Sequence, residues 1–375
     1  MNPLKETAAA SSPGCGPRDR SLALGSTHPM TIASGQNEEP MSEEEFASLM
    51  AKTTLNPCVD VCVSGQFDTR EDADKLGKTV VLFLQMLGVY LQLDCLEALT
   101  VTDDYENALL KIERGFSTNK ALAPTRDEFG TGYAMSIPVI RNGALKTHIV
   151  IHSGLIKPLV DPNHEKYSFA VHTLAHELGH AHDHSVTGRT LPNLVGTQLP
   201  DFRQGTLFNL AHGCWCEYIA SRLSATWGTE NYCAEFEPTL CDMLSTAMDR
   251  GTACIFCHRM HGNIADTEAE MKNIYGGLLT RLSYLVGHLH GIEASIKEKT
   301  PKLHTLIQDS KWFIPIFERY ESNLKELKET HENWTGIEVF NPLMDTCESM
   351  LNAGGMRYLM LPTGNYFVEL KYPNN

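Results

Sequence analysis

The chain reads as an α+β protein: a small sheet with an edge hairpin, helices that carry polar side chains, and a mostly helical carboxy-terminal region. Three observations predict this. Two strand-like runs, Gly132 to Ile140 and Leu145 to Ser153, flank Arg141-Asn142-Gly143-Ala144, and Asn-Gly between apolar alternations is a strong hairpin signal. From Val171 onward, apolar residues recur at helical spacing: Leu174, Ala175, Leu178 and Ala181 cluster on one side of a wheel of about 100° per residue. After Trp227-Gly228 the periodicity is helical again over Phe236–Met248, Thr267–Glu298 and Lys302–Thr330.

Taken in order, residues 1–42 are rich in Ala, Ser, Gly, Pro, Thr and Glu and hold no apolar run long enough for a signal peptide. A disordered segment is expected, with Met30 and Met41 as later candidate starts. Glu71 to Leu93 predicts a helix, Leu96 to Thr102 a short strand, and Tyr105 to Arg114 a second helix. The apolar stretch Thr79–Leu93 contains Gln85 and Gln92 and falls short of the roughly 20 residues that span a bilayer, so a buried helix is expected. The hairpin then leads into the helix of Val171. Ser185 to Asn209, with Gly188, Pro192, Gly196, Pro200 and Gly205, reads as a long loop, and loops of that length are often lids. A second helix is expected over Leu210–Trp227. The tail predicts a hairpin of Arg357–Leu361 and Tyr366–Tyr372 around Pro362-Thr363-Gly364-Asn365. The domain boundaries that follow are 1–42, 43–228 and 229–375.

Composition limits the function classes. A chain of 375 residues with 42% hydrophobic content supports sizeable cores. Acidic residues outnumber basic ones by 46 to 31, for a formal charge of −15, which disfavours nonspecific binding to nucleic acid or anionic membranes. Eleven cysteines without a secretion signal point to a reducing compartment, the cytoplasm. Cys254-Ile255-Phe256-Cys257-His258 matches the covalent haem pattern, but such haem is attached outside the cytoplasm. With His261, a structural zinc or plain helical thiols are the other readings. Cys214 and Cys216, which flank Trp215, are expected to pack.

The chemistry is concentrated in His176-Glu177-Leu178-Gly179-His180. Positions i and i+4 lie one above the other on a helix, so two imidazoles can reach one ion, and Glu177 projects to the edge of that face as a general base. This is the HExxH pattern of zinc metallopeptidases. The same side of the wheel collects Thr173, His176, Glu177, His180, Asp183 and His184, opposite the apolar stripe.

A catalytic zinc takes three protein ligands and keeps one position for water. A histidine six residues after His180 would make the site a metzincin; that position is Val186. His184 lies two turns from His176, roughly 12 Å along the axis at 1.5 Å per residue, too far to share the ion. Glu217 is the preferred third ligand. Ala220, Ser221 and Ser224 share its helical face, and small side chains let two helices approach closely. Glu230, Glu235 and Glu237 also follow the motif and stay open as alternatives.

The pair of HExxH and the later Glu217-x-x-Ala220-Ser221 resembles the gluzincins, and in particular the ImmA/IrrE group of metallopeptidases, over roughly residues 70 to 228. A longer insert between the two helices, and Ser221 where asparagine is more typical, are the departures. The resemblance implies a zincin-like core with one catalytic Zn2+ held by His176, His180 and Glu217. It also implies that Thr147 to His152 forms the sheet edge on which an extended peptide adds itself.

The expected activity is zinc-dependent endopeptidase hydrolysis of a limited set of protein or peptide substrates. Glu177 takes a proton from a metal-activated water and returns it to the leaving amine. Oxyanion stabilisation falls to His212, Tyr218 or Tyr133 without a choice among them. Asp183 and His184 either orient the ligands or face water. The alternative is a binding or sensor module that keeps the metal for stability, although a purely structural metal has no use for Glu177 and normally takes four protein ligands.

Overall fold

A computed structural model of the protein describes residues 42–373 except 119–120, 128–129, 196–198, 200 and 230. Of the expected disordered segment 1–42, residues 1–41 lie outside the described residues, and Ser42 is ordered as a helix cap. The protein is α+β, with about 62% of the described residues helical and a small mixed sheet.

Helix α1 (Glu43–Met50) begins at a capping box in which Ser42 and Glu45 satisfy each other's main-chain N–H groups. Strand β1 (Asp60–Val63) precedes α2 (Arg70–Leu87), which starts on a second such box, Thr69 with Asp72. Then come β2 (Leu96–Thr102), α3 (Tyr105–Leu110), the short pair β3 (Arg126–Asp127) and β4 (Gly130–Thr131), and the hairpin β5 (Ala134–Arg141) and β6 (Ala144–His152). Asn142 and Gly143 both have positive φ, 52° and 79°, as a two-residue hairpin turn requires.

The four-stranded sheet has the order β1-β2-β6-β5, with β1, β2 and β6 parallel and β5 antiparallel to β6. This overturns one expectation. Thr147–His152 is paired on both sides, to β2 and to β5, so the edge strand on that side is β5, with β1 at the other edge. A hairpin sequence specifies that two strands pair but not which of them has a second neighbour.

Short α4 (Ser153–Ile156) leads to the long helices α5 (Tyr167–Thr190) and α6 (Phe202–Ser224). The expected loop over 185–209 is accordingly much shorter. Helix α5 runs through Gly188, where a Cβ would sit 3.3 Å from Leu145 Cβ, and α6 starts at Asp201, whose side chain accepts from Gln204 N at 2.7 Å. Packing at one glycine and a good N-cap carry both helices into sequence that looks irregular by composition.

One face of the sheet, with Leu99, Val101, Ile149 and Ile151, is covered by Val80 and Leu84 of α2 and by Leu174 and Leu178 of α5. Each such buried side chain contributes about 1.5–3 kcal/mol of transfer free energy. Ile137, Val139 and Val150 on the other face meet Tyr105 and Leu109 of α3.

The rest is helical: α7 (Tyr232–His261), α8 (Ile264–Met271), a π-helical turn at Lys272–Gly276, α9 (Gly277–Gly291), α10 (Ile296–Lys299), α11 (Pro301–Asp309), α12 (Ile314–Thr330) and α13 (Asn341–Ala353). The expected tail hairpin is present as β7 (Met356–Met360) and β8 (Tyr366–Leu370). The described residues from Ser42 onward belong to one compact unit. Its largest core joins α6 residues Trp215, Tyr218 and Ile219 to α9 residues Leu278, Leu282, Leu285 and Val286. No helix among the described residues is long and apolar enough to cross a membrane.

Candidate metal centre

Helix α5 is buried on most of its circumference. Leu174, Ala175, Leu178 and Ala181 are inaccessible to solvent against the sheet and α2, which turns His176 and His180 toward α6. Glycine inside a helix costs about 1 kcal/mol relative to alanine, so Gly179 needs a reason, and α6 supplies it. A Cβ at Gly179 would lie 2.8 Å from Ala220 Cα and 3.0 Å from Ala220 O. The helices therefore approach backbone to backbone at the position that lies between the histidines in sequence and one turn beyond Glu217 on α6.

That approach brings the expected ligands together. Glu217 Oε2 lies 3.3 Å from His176 Nε2 and 3.6 Å from His180 Nε2, and all three ligand atoms fall within 4.8 Å of one another. Donors about 2.1 Å from one tetrahedral zinc are about 3.4 Å apart. The same carboxylate oxygen is buried and has no hydrogen-bond partner among the described residues, a costly state that a cation resolves. The donor set of two imidazoles and a carboxylate fits zinc. Burial alone disfavours a charge on His180, but the neighbouring Glu217 overcomes it and pushes the imidazole up to about 9. Burial likewise disfavours the Glu217 carboxylate, and the two histidines more than offset it, holding its pKa well below the usual range.

Glu177 stands apart from this trio. Its Oε2 accepts from Ser136 Oγ at 2.8 Å, and the same hydroxyl lies 2.9 Å from the Glu177 carbonyl. The edge strand thus holds the carboxylate that the motif nominates as base. Among the described residues nothing donates to its Oε1.

The remaining nominees serve elsewhere. Asp183 does not face water: Trp215 Nε1 donates to it at 3.0 Å and His331 Nε2 lies 3.0 Å away. His184 pairs through Nδ1 with Thr147 Oγ1 at 2.8 Å. Tyr218 Oη is engaged by His290 and Arg222, His212 stacks on Phe208 beside Cys216, and Tyr133 packs on Tyr105 and His152. Glu237 accepts from Lys302 N and Leu303 N, Glu235 is exposed, and Glu230 lies outside the described residues. Cys254 and His258 turn to Thr267 on α8, and among the described residues the only three-ligand group is His176, His180 and Glu217.

Two neighbours of the site carry no signal in the motif: Ser136, and Tyr284 of α9, whose ring stacks on His176 at 5.5 Å and 12°. A third, His172, was legible as the preceding member of the i, i+4 series. Burial pushes its pKa down to about 3 and that of nearby His288 to about 4, so both are neutral at physiological pH. The Nδ1 atoms of His172 and His288 are buried without described partners. Comparisons with protein-family models, curated proteins and solved structures returned no match to the chain.

Two variants test the construction of the site. Glu217→Ala is expected to weaken zinc binding beyond the roughly 10–100-fold that loss of an outer partner costs; a chelator competition that finds parental affinity removes Glu217 from the ligand set. Gly179→Ala is expected to destabilise the fold by about 1–3 kcal/mol, the cost of overpacking, because the new methyl meets main chain that cannot swing aside. Thermal unfolding checks it, and an unchanged midpoint means that the helices are not in contact there.

Proposed function

We propose that the protein is a zinc-dependent endopeptidase of the glutamate-ligand type, similar to the ImmA/IrrE metallopeptidases, with a zincin-like core over 43–228. The observation that carries this reading is a free-standing carboxylate, Glu177, held by Ser136 beside a three-ligand cluster. A metal kept only for stability would be closed by a fourth protein ligand and would leave Glu177 without a task.

Zinc bound by His176, His180 and Glu217 would supply Lewis acidity, polarising a carbonyl and bringing the pKa of water toward neutrality. In this reading Glu177 receives the proton of the attacking water at Oε1, while Ser136 bonds Oε2. The same carboxyl then protonates the departing amine.

Strand β5 offers the substrate a seat. Ile140 N donates away from β6 to Arg114 O at 2.8 Å, and by strand alternation the main-chain groups of Ala134 and Ser136 point the same way. Among the described residues those groups have no main-chain partner. An extended peptide added there runs past Ser136 and hence past Glu177. Proteins and peptides are therefore the substrate class.

The test is sequencing of new amino termini in a cell lysate incubated with zinc-loaded protein. Cleavages that appear with the protein and vanish with a zinc chelator support the reading. A lysate unchanged by protein of full zinc content points to the sensor alternative.

A further inference from the structure

We propose that Tyr284 is a positioning residue of the metal centre, through which the carboxy-terminal helices set the ligand geometry and thereby the metal affinity. The proposal rests on the reading of His176, His180 and Glu217 as ligands. It adds a residue some 67 positions beyond the last of them, on a helix outside the HExxH region.

The Tyr284 ring lies nearly parallel to that of His176, with centroids 5.5 Å apart and planes at 12°. Phe236 of α7 backs it on another side, with centroids 5.9 Å apart at 30°. An imidazole ligand must hold the ion close to its own ring plane, so a partner stacked on that ring fixes the direction in which His176 binds. The phenol hydroxyl also lies near the Glu217 carboxylate. A donor on a ligating carboxylate orients it and limits the lone pairs it can turn to the ion. One side chain thus stacks on one ligand and neighbours a second.

Its reach is set by main chain. Helix α9 lies against α6 at two glycines: a Cβ on Gly287 would sit 2.3 Å from Tyr218 O, and one on Gly291 would sit 2.4 Å from Arg222 O. The π-helical turn at Lys272–Gly276 sets the phase of α9. It allows Tyr275 to be buried, donating to Ala247 O at 3.1 Å, while Tyr284 still faces the ligands. The carboxy-terminal helices are therefore a wall of the site.

Tyr284→Phe keeps the stacked ring and loses the hydroxyl; Tyr284→Leu loses both. Zinc affinity is measured by chelator competition, and the ligand field is read from the visible absorption of the cobalt(II)-substituted protein. The expected result is zinc binding weakened about 10-fold by Tyr284→Phe and about 100-fold by Tyr284→Leu, with cobalt bands shifted in both. Parental affinity and parental bands in both variants overturn the proposal; should Tyr284→Leu not fold, the near-isosteric Tyr284→Phe decides alone. A parent that binds zinc with unchanged variants removes only Tyr284. A parent that takes up no zinc removes the metal reading itself, and the proposal with it.

Discussion

Glu177→Gln should leave zinc content at one ion per chain while hydrolysis falls by at least about 10²–10⁴-fold, the contribution general-base catalysis makes. The two outcomes separate because Glu177 lies outside the His176, His180 and Glu217 cluster, and its carboxylate bonds Ser136 instead. Glutamine preserves shape and can still accept from the Ser136 hydroxyl through its amide oxygen, so the fold should melt at the parental temperature. What disappears is an atom able to take a proton. Steady-state cleavage of a peptide identified in the lysate experiment, with metal analysis on the same sample, checks both halves. Parental cleavage by the variant would end the enzyme reading. Loss of zinc along with activity would instead place Glu177 among the ligands.

The second large effect lies one turn beyond His180. Asp183→Ala is expected to destabilise the fold by about 3–5 kcal/mol, the cost of breaking a buried pair by removing one partner. Asp183 and His331 side chains are only 2% and 1% exposed, so water cannot replace the lost group. Trp215 Nε1, which donates to Asp183 at 3.0 Å, loses its acceptor as well. The melting temperature should drop by on the order of 10 °C, with Asp183→Asn intermediate because its amide oxygen still accepts. Equal unfolding midpoints for parent and Asp183→Ala would remove the pair from the stability of the fold.

The pH dependence has a definite sign. Burial by itself would raise the Asp183 pKa, but the hydrogen bond and charge of His331 outweigh it and hold the carboxyl well below the ordinary range. A group depressed on folding contributes stability that is complete above its unfolded pKa of about 3.9 and is lost as pH falls through the folded value. The gap between parent and Asp183→Asn should therefore be constant from pH 7 to about 5 and narrow below about 4. Urea unfolding at pH 7, 5 and 3 measures it, and a gap that widens toward acid would contradict the assignment.

Much of the site is local and was legible for that reason. Helical spacing alone places His176 and His180 side by side, and the small residues around Glu217 mark where a second helix can approach. Gly179 against Ala220 is that approach. The hairpin at Asn142-Gly143 and the strand Leu96–Thr102 were equally readable, because turn chemistry and alternation act within a few residues. Where composition suggests a loop, packing and helix capping prevail. Gly188 and Gly205 lie inside helices although both residues suggested a loop.

The candidate groups can be read from the chain: two imidazoles and two carboxylates on helical faces suited to meet. Tertiary structure alone decided what surrounds them. Which strand is the edge, which hydroxyl holds Glu177, and which aromatic ring lies on His176 depend on contacts between residues 41 to 108 positions apart in the chain. Such contacts leave no periodic trace, because each is settled by how whole layers stack and not by the spacing of side chains along one element.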